Sequence, residues 1–146
     1  MAVACQLAQR GGNVTLFARN QAKLDLAVKQ VQVLLLLCAA PHEAEIGQGH
    51  TVNPNQQVEA VSVDLTDPAS CTQAFDKAET LQGRPVDLLI SCVGAAGPTL
   101  GLFKDLTPEQ FRAGMDTNYF ATLWTVQVCT AYCDTSAHIR TVGMSQ

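Results

Sequence analysis

Apolar residues recur every three or four positions over residues 2–10 (AVACQLAQR), a spacing that predicts a helix, and Gly11-Gly12 behind it reads as a helix stop. The pattern then becomes a continuous run, Val14-Thr15-Leu16-Phe17-Ala18, which predicts a buried strand ended by Arg19-Asn20. From Gln21 the longer period returns: Leu24, Ala27 or Val28, and Val31 make one stripe of a second helix. Residues 58–63 (VEAVSV) alternate and predict a second strand. Asp64-Leu65-Thr66-Asp67-Pro68 closes it and opens a helix, with Asp67 suited to the cap and Pro68 to the first helical position. Cys71, Ala74, Phe75, Ala78 and Leu81 form the expected inner face of that helix, and Gly83 ends it. Residues 86–91 (VDLLIS) predict a third strand, followed by the turn Cys92-Val93-Gly94-Ala95-Ala96-Gly97-Pro98. Thr107 with Gln110 three residues on is a capping-box signature, and the helix it opens is expected to run to about Cys129 or Cys133.

Two stretches lack this regularity. Residues 39–57 (AAPHEAEIGQGHTVNPNQQ) gather Pro, Gly, Asn and Gln and are expected to be a long, disordered surface loop in which His42 and His50 are solvated. Residues 134–146 are polar and are expected to be an irregular tail, although Ile139, Val142 and Met144 trace the outline of another strand. What remains is strict alternation of helix and strand with nearly continuous apolar strands. That order implies an α/β fold with a parallel sheet and helices on both faces. The expected organisation is one partial doubly wound, Rossmann-type domain over residues 1–133.

Composition narrows the function classes. The chain has 146 residues, 47% apolar and 15% charged, as in an ordinary soluble globular domain. Its nine basic residues are scattered and its net charge is −4, so the electrostatic footprint of a nucleic-acid binder is absent. The longest apolar run, Val33 to Ala40, is far short of the ~20 residues that span a bilayer, so no membrane span is expected in this chain. The six cysteines match no structural zinc spacing. Cys129 and Cys133 share a helix face ahead of His138, but buried thiols explain them more simply than half a metal site, and no metal is expected. Reduced thiols and the absence of a signal peptide suit a cytoplasmic setting.

In a doubly wound sheet, ligands sit beyond the carboxyl ends of the strands. Arg19 and Asn20 follow the first strand here, with Lys23 one turn on. A strand end at this place reaches the adenosine ribose, where an acid would suit a free 2′-hydroxyl and an arginine fork suits a 2′-phosphate. Arg19 therefore favours NADP over NAD; a solvated arginine at a helix start is the plain alternative. Asp64 and Leu65 follow the second strand, where a carboxylate can accept from an adenine amino group and a turn aspartate is equally natural. Ser91, Val93 and Gly94 follow the third, and the glycine permits close approach of backbone to a ligand. On the long helix, Phe111, Met115, Asn118, Thr122, Thr125 and Cys129 follow steps of three and four. Asn118 is thus expected on a largely core-facing stripe. A buried amide without partners costs ~1–3 kcal/mol, so it is expected either to satisfy neighbouring backbone or to hold a water in an active site.

The segments GGNVTLFARN, VSVDLTD, VDLLISCVGAAG and MDTNYFATL together resemble the short-chain dehydrogenase/reductase superfamily over residues 2 to about 132. NVTLFARNQAKL and VDLLISCVGAAGPTLGLFKDLTPEQFRAGMDTNYFAT are similar in wording and spacing to its 3-ketodihydrosphingosine reductases. That resemblance implies NADPH-dependent reduction of a small lipid ketone, 3-ketosphinganine, to sphinganine. It also implies a parent protein at the cytosolic face of the endoplasmic reticulum membrane, and it is compatible with a homo-oligomer. Asn118 matches the asparagine of the family's Asn–Ser–Tyr–Lys tetrad, which helps hold a water in the proton relay. Arg19 matches the NADP-selecting arginine, Asp64 and Leu65 the adenine contacts, and Ser91-Cys92-Val93-Gly94 the Asn-Asn-Ala-Gly motif, of which only the glycine is kept.

The departures set further expectations. Neither the family's Thr-Gly-x-x-x-Gly-x-Gly phosphate loop nor its Tyr-x-x-x-Lys pair is present: Tyr119 and Tyr132 have no lysine four residues later, and Ser145 is a faint echo of the family serine. The family's hydrophobic termini are also absent. The sequence is therefore expected to be truncated at both ends, inert by itself, and marginally stable, because the missing first strand would separate residues 13–18 and 58–63 from 86–91, so that either the gap closes or two strand edges stay unpaired. Three alternatives stay open: another short-chain dehydrogenase/reductase, a non-catalytic nucleotide-binding or interaction module, and a flavodoxin-like domain, which would need a phosphate loop of its own.

Overall fold

The computed structural model describes residues 2–39, 55–95, 102–132 and 138–141. They form α1 (Ala2–Gln9), β1 (Val14–Ala18), α2 (Gln21–Ala39), β2 (Val58–Ser62), α3 (Pro68–Gln82), β3 (Leu88–Ser91), a 3₁₀ turn (Phe103–Asp105), α4 (Pro108–Met115), a π turn (Asp116–Phe120), α5 (Ala121–Tyr132) and β4 (His138–Thr141). The chain divides into two compact units, Met1–Val63 with Thr80–Gln82, and Asp64–Glu79 with Gly83–Gln146. The expected α/β class with parallel strands holds in each.

In the first unit β1 and β2 pair in parallel, in register from Val14↔Val58 to Ala18↔Ser62. Helix α1 stops where the double glycine demands it. Gly11 takes φ 81°, a left-handed conformation that favours glycine. Its N–H donates to Ala8 C=O at 2.9 Å, and the Gly12 N–H donates to Leu7 C=O at 3.1 Å, which closes the last turn as a Schellman motif. Ala4, Ala8, Val14, Val31 and Val58 form the core, with Cys5, Leu7, Leu16, Val28 and Leu35 packed around it. Leu24 and Val31 are buried as the stripe of α2 required. The Gln56 amide donates to the Ala8 and Gly12 carbonyls, so this end of the supposed 39–57 loop is tied to the end of α1. Residues 40–54, with His42 and His50, lie outside the described residues.

In the second unit β3 pairs in parallel with β4, from Leu88↔His138 to Ser91↔Thr141. This corrects one expectation: the tail over 134–146 is not wholly irregular. A four-residue strand carries too little periodicity to stand out in sequence, and its ladder partner defines it. Phe75, Leu89 and Cys129 form the core, with Val86, Val126 and Val128 against it. Cys71, Ala74, Phe75 and Ala78 bury the face of α3 as expected, whereas Leu81 is exposed, in the last turn of the helix. Asp67 caps α3, and Gly83 ends it at φ 64°. The Thr107–Gln110 capping box is made in both directions.

The long helix expected from Thr107 is interrupted. Residues Asp116–Phe120 widen into a π turn between α4 and α5. A π turn adds a residue to the helical count, so positions on either side lose their common face. That is why Phe111 and Met115 are exposed while Thr125 and Cys129 are buried.

Two stability outcomes follow from the caps. Thr107→Ala removes the capping hydroxyl of α4 and is expected to cost ~1 kcal/mol in urea denaturation; an unchanged midpoint would mean the box is idle. The Asp67 carboxylate accepts from the Ser70 hydroxyl and from the Ser70 and Ala69 N–H groups, which holds its pKa below the usual carboxylate range. Its contribution is therefore complete above the unfolded value of about 3.9 and is lost as pH falls through the lowered folded value. Asp67→Asn should flatten that acid limb in a thermal-melt pH series.

Candidate functional site

The first unit carries one group of candidates, at the carboxyl end of β1. Asn20 is the cap of α2: its Oδ1 accepts the Lys23 N–H at 3.0 Å, and its carbonyl accepts the Leu24 N–H at 3.1 Å. Lys23 is thereby placed in the first turn, exposed. Arg19 is exposed as well, and among the described residues its guanidinium has no carboxylate partner. Its carbonyl accepts from the Ser62 hydroxyl at 3.1 Å. Ser62 was not among the residues singled out from sequence; its outward place beside buried Val61 at the end of an alternating strand was the available signal.

The second unit carries the other candidates. Asp64 is exposed, and its Oδ1 accepts from the Thr66 N–H at 3.0 Å and the Thr66 hydroxyl at 2.8 Å, which makes a rigid turn. Leu65 is buried, and its carbonyl accepts from the Cys71 thiol at 3.5 Å. Burial raises the Cys71 pKa, and the Asp67 and Asp64 carboxylates push it the same way. This cysteine is a neutral core group that supports the turn.

Ser91 is buried, and its hydroxyl pairs with the Thr122 hydroxyl on α5 at 3.2 Å. Its side chain is thus engaged inside the fold, and Val93 is half-buried. Past β3 the chain meets the π turn. Asn118 Oδ1 accepts the Ala95 N–H at 2.8 Å, and Nδ2 donates to Ala95 C=O at 3.1 Å and to Gly114 C=O at 3.0 Å. Asn118 therefore grips both backbone polar groups of one residue, Ala95, as a neighbouring strand would. Gly94 makes room for this: a Cβ there would stand 3.1 Å from Asn118 Oδ1. The expectation of a buried amide is corrected. Asn118 is exposed, because the π turn rotates it off the core stripe, yet it satisfies neighbouring backbone as one of the two readings required. Ala95, whose backbone carries the contact, has no side-chain feature that sequence could have flagged.

Among the described residues, no three His, Cys, Asp or Glu side chains come together to hold a metal ion. Cys129 is a buried free thiol, while Cys133 lies outside the described residues, as do Gly97 and Ser145. No helix among the described residues is long and apolar enough to cross a membrane.

A family model described as short chain dehydrogenase matches residues 1–143. The chain belongs to the short-chain dehydrogenase family. It is 32% identical over 120 residues to a 3-ketodihydrosphingosine reductase of Aspergillus fumigatus, an alignment covering 82% of this chain and 28% of that one. To the 3-ketodihydrosphingosine reductase of Bos taurus it is 28% identical over 122 residues, covering 84% of this chain and 31% of the relative. The chain thus spans about three tenths of the length of these curated relatives. A short-chain dehydrogenase of Burkholderia cenocepacia, solved in complex with NADP, superposes with a TM-score of 0.68 at 20% identity, over 96% of this chain and 48% of that one. The fold is accordingly the N-terminal part of the short-chain dehydrogenase fold, and the resemblance of the sequence to 3-ketodihydrosphingosine reductases is matched by these relatives.

The grip of Asn118 on Ala95 predicts that Asn118→Ala speeds amide exchange at Ala95 about tenfold, the loss expected for ~1.4 kcal/mol of local bonding. Unchanged exchange at Ala95 would show that the two hydrogen bonds contribute nothing in solution.

Proposed function

We propose that this chain carries the adenosine-binding part of an NADPH-dependent short-chain reductase whose substrate is a lipid ketone of the 3-ketosphinganine type. The observation that carries the proposal is Arg19: an exposed guanidinium just past the carboxyl end of β1, without a carboxylate partner among the described residues, and with Lys23 in the first turn of α2. Two cations near a capped helix N-terminus suit a dianionic 2′-phosphate, through charge-assisted hydrogen bonds and the helix dipole. An acid in place of Arg19 would have favoured the free hydroxyl. In the second unit, taken by itself, the family resemblance gives Asp64 and Leu65 the adenine-contact role and gives Val93 and Gly94 a place beside a cofactor after β3. The names of the curated relatives supply the substrate class.

NADPH, when bound, supplies a hydride to the ketone carbon. The residues of this chain bind and position. Both Nδ2 hydrogens of Asn118 are committed to Ala95 and Gly114, and Oδ1 keeps one lone pair beyond the Ala95 N–H. That lone pair could accept from one water, so Asn118 would serve the proton relay mainly by shaping the turn. The proton for the new alcohol has no donor of the Tyr-x-x-x-Lys kind in this sequence. The whole protein, on this reading, works at the cytosolic face of the endoplasmic reticulum.

Calorimetry of NADPH and NADH against the purified chain, with circular dichroism beside it, tests the proposal. Folded protein that prefers NADPH, with Arg19→Ala cutting NADPH affinity about tenfold and leaving NADH nearly unchanged, is the expected result. Equal losses for both cofactors would remove the 2′-phosphate role from Arg19.

A further inference from the structure

We infer that Ser62 is a positioning residue for 2′-phosphate selectivity, holding the backbone of Arg19 from the neighbouring strand; the inference rests on the adenosine-site reading above. The β1–β2 ladder closes with the Val63 N–H on Ala18 C=O at 3.0 Å. Arg19 lies one residue further on, where the chain turns into α2. Its carbonyl takes the Ser62 hydroxyl hydrogen at 3.1 Å across 43 residues of sequence. On its other side, Asn20 is held by the Lys23 and Leu24 N–H groups. The root of Arg19 is therefore pinned twice, once by β2 and once by α2.

This matters because nothing else among the described residues orders the side chain. The guanidinium is exposed and has no carboxylate partner among the described residues, so the fold controls only where the Cα–Cβ bond starts and points. Recognition of phosphate oxygens by a planar fork depends on direction. A few tenths of an ångström of drift at the backbone is magnified along the long side chain. The single hydroxyl hydrogen of Ser62 is spent on Arg19 C=O, which leaves it nothing to donate to a phosphate. Ser62 acts through Arg19. Its exposed position beside buried Val61 also means that its loss leaves the core intact.

The test uses the full chain, with adenosine 2′,5′-bisphosphate and 5′-AMP as probes in calorimetry. Ser62→Ala should weaken the bisphosphate about fivefold and leave AMP within about twofold. Ser62→Thr, which keeps the hydroxyl, should restore the ratio. A purely structural role would lower both ligands together and would not be rescued selectively. If Arg19→Ala abolishes the preference while Ser62→Ala leaves it whole, the inference fails and the reading of Arg19 stands. If the native chain shows no preference for the bisphosphate, that reading fails. Amide relaxation then judges Ser62 separately: unchanged order at Arg19 and Asn20 in Ser62→Ala overturns its positioning role whatever the ligands do.

Discussion

Parallel strands cannot be joined by a tight turn, and that constraint organises both units of this protein. In the first, β1 reaches β2 only by way of α2, so both strands end on the same side and Ser62 comes to lie beside Arg19. In the second, β3 reaches β4 by way of α4, the π turn and α5, and the turn after β3 meets Asn118 on the returning helix. In each case the residue that follows a strand is held by an element that the crossover brings back.

The candidate residues differ in how far the fold already uses them. Asn20 caps a helix, Asp64 folds its own turn, Ser91 pairs with Thr122, and Asn118 clamps Ala95. Each of these side chains is engaged by neighbouring groups of its own unit. Arg19 is of another kind: its backbone is held, while its charge is left to solvent. A long cationic side chain that the fold anchors at the root, yet gives no counter-ion among the described residues, is the clearest pointer to an anionic ligand.

The π turn joins fold and site. A regular helix would have put Asn118 in line with Thr125 and Cys129, facing the core. One extra residue in the turn exposes it, and its amide can then span the distance to Ala95. Gly94 is the matching concession on the other side, where a methyl group would press on Asn118 Oδ1. The polar clamp and the core stripe of α5 coexist because the clamp sits within this irregularity and the stripe begins beyond it.

The sequence by itself determined the alternation of helix and strand, the caps at Asp67 and Thr107, the stops at Gly11 and Gly83, and the position of Arg19 after the first strand. All of these rest on interactions spanning five residues or fewer, or on a periodicity of the same range. The tertiary structure alone decided the π turn, the exposure of Asn118, the pairing of β4 with β3, and the hold of Ser62 on Arg19. The bond between Asn118 and Ala95 spans 23 residues, and that between Ser62 and Arg19 spans 43. No local pattern encodes such partners, because each side chain would look the same in the sequence whether or not the chain brought the other to meet it.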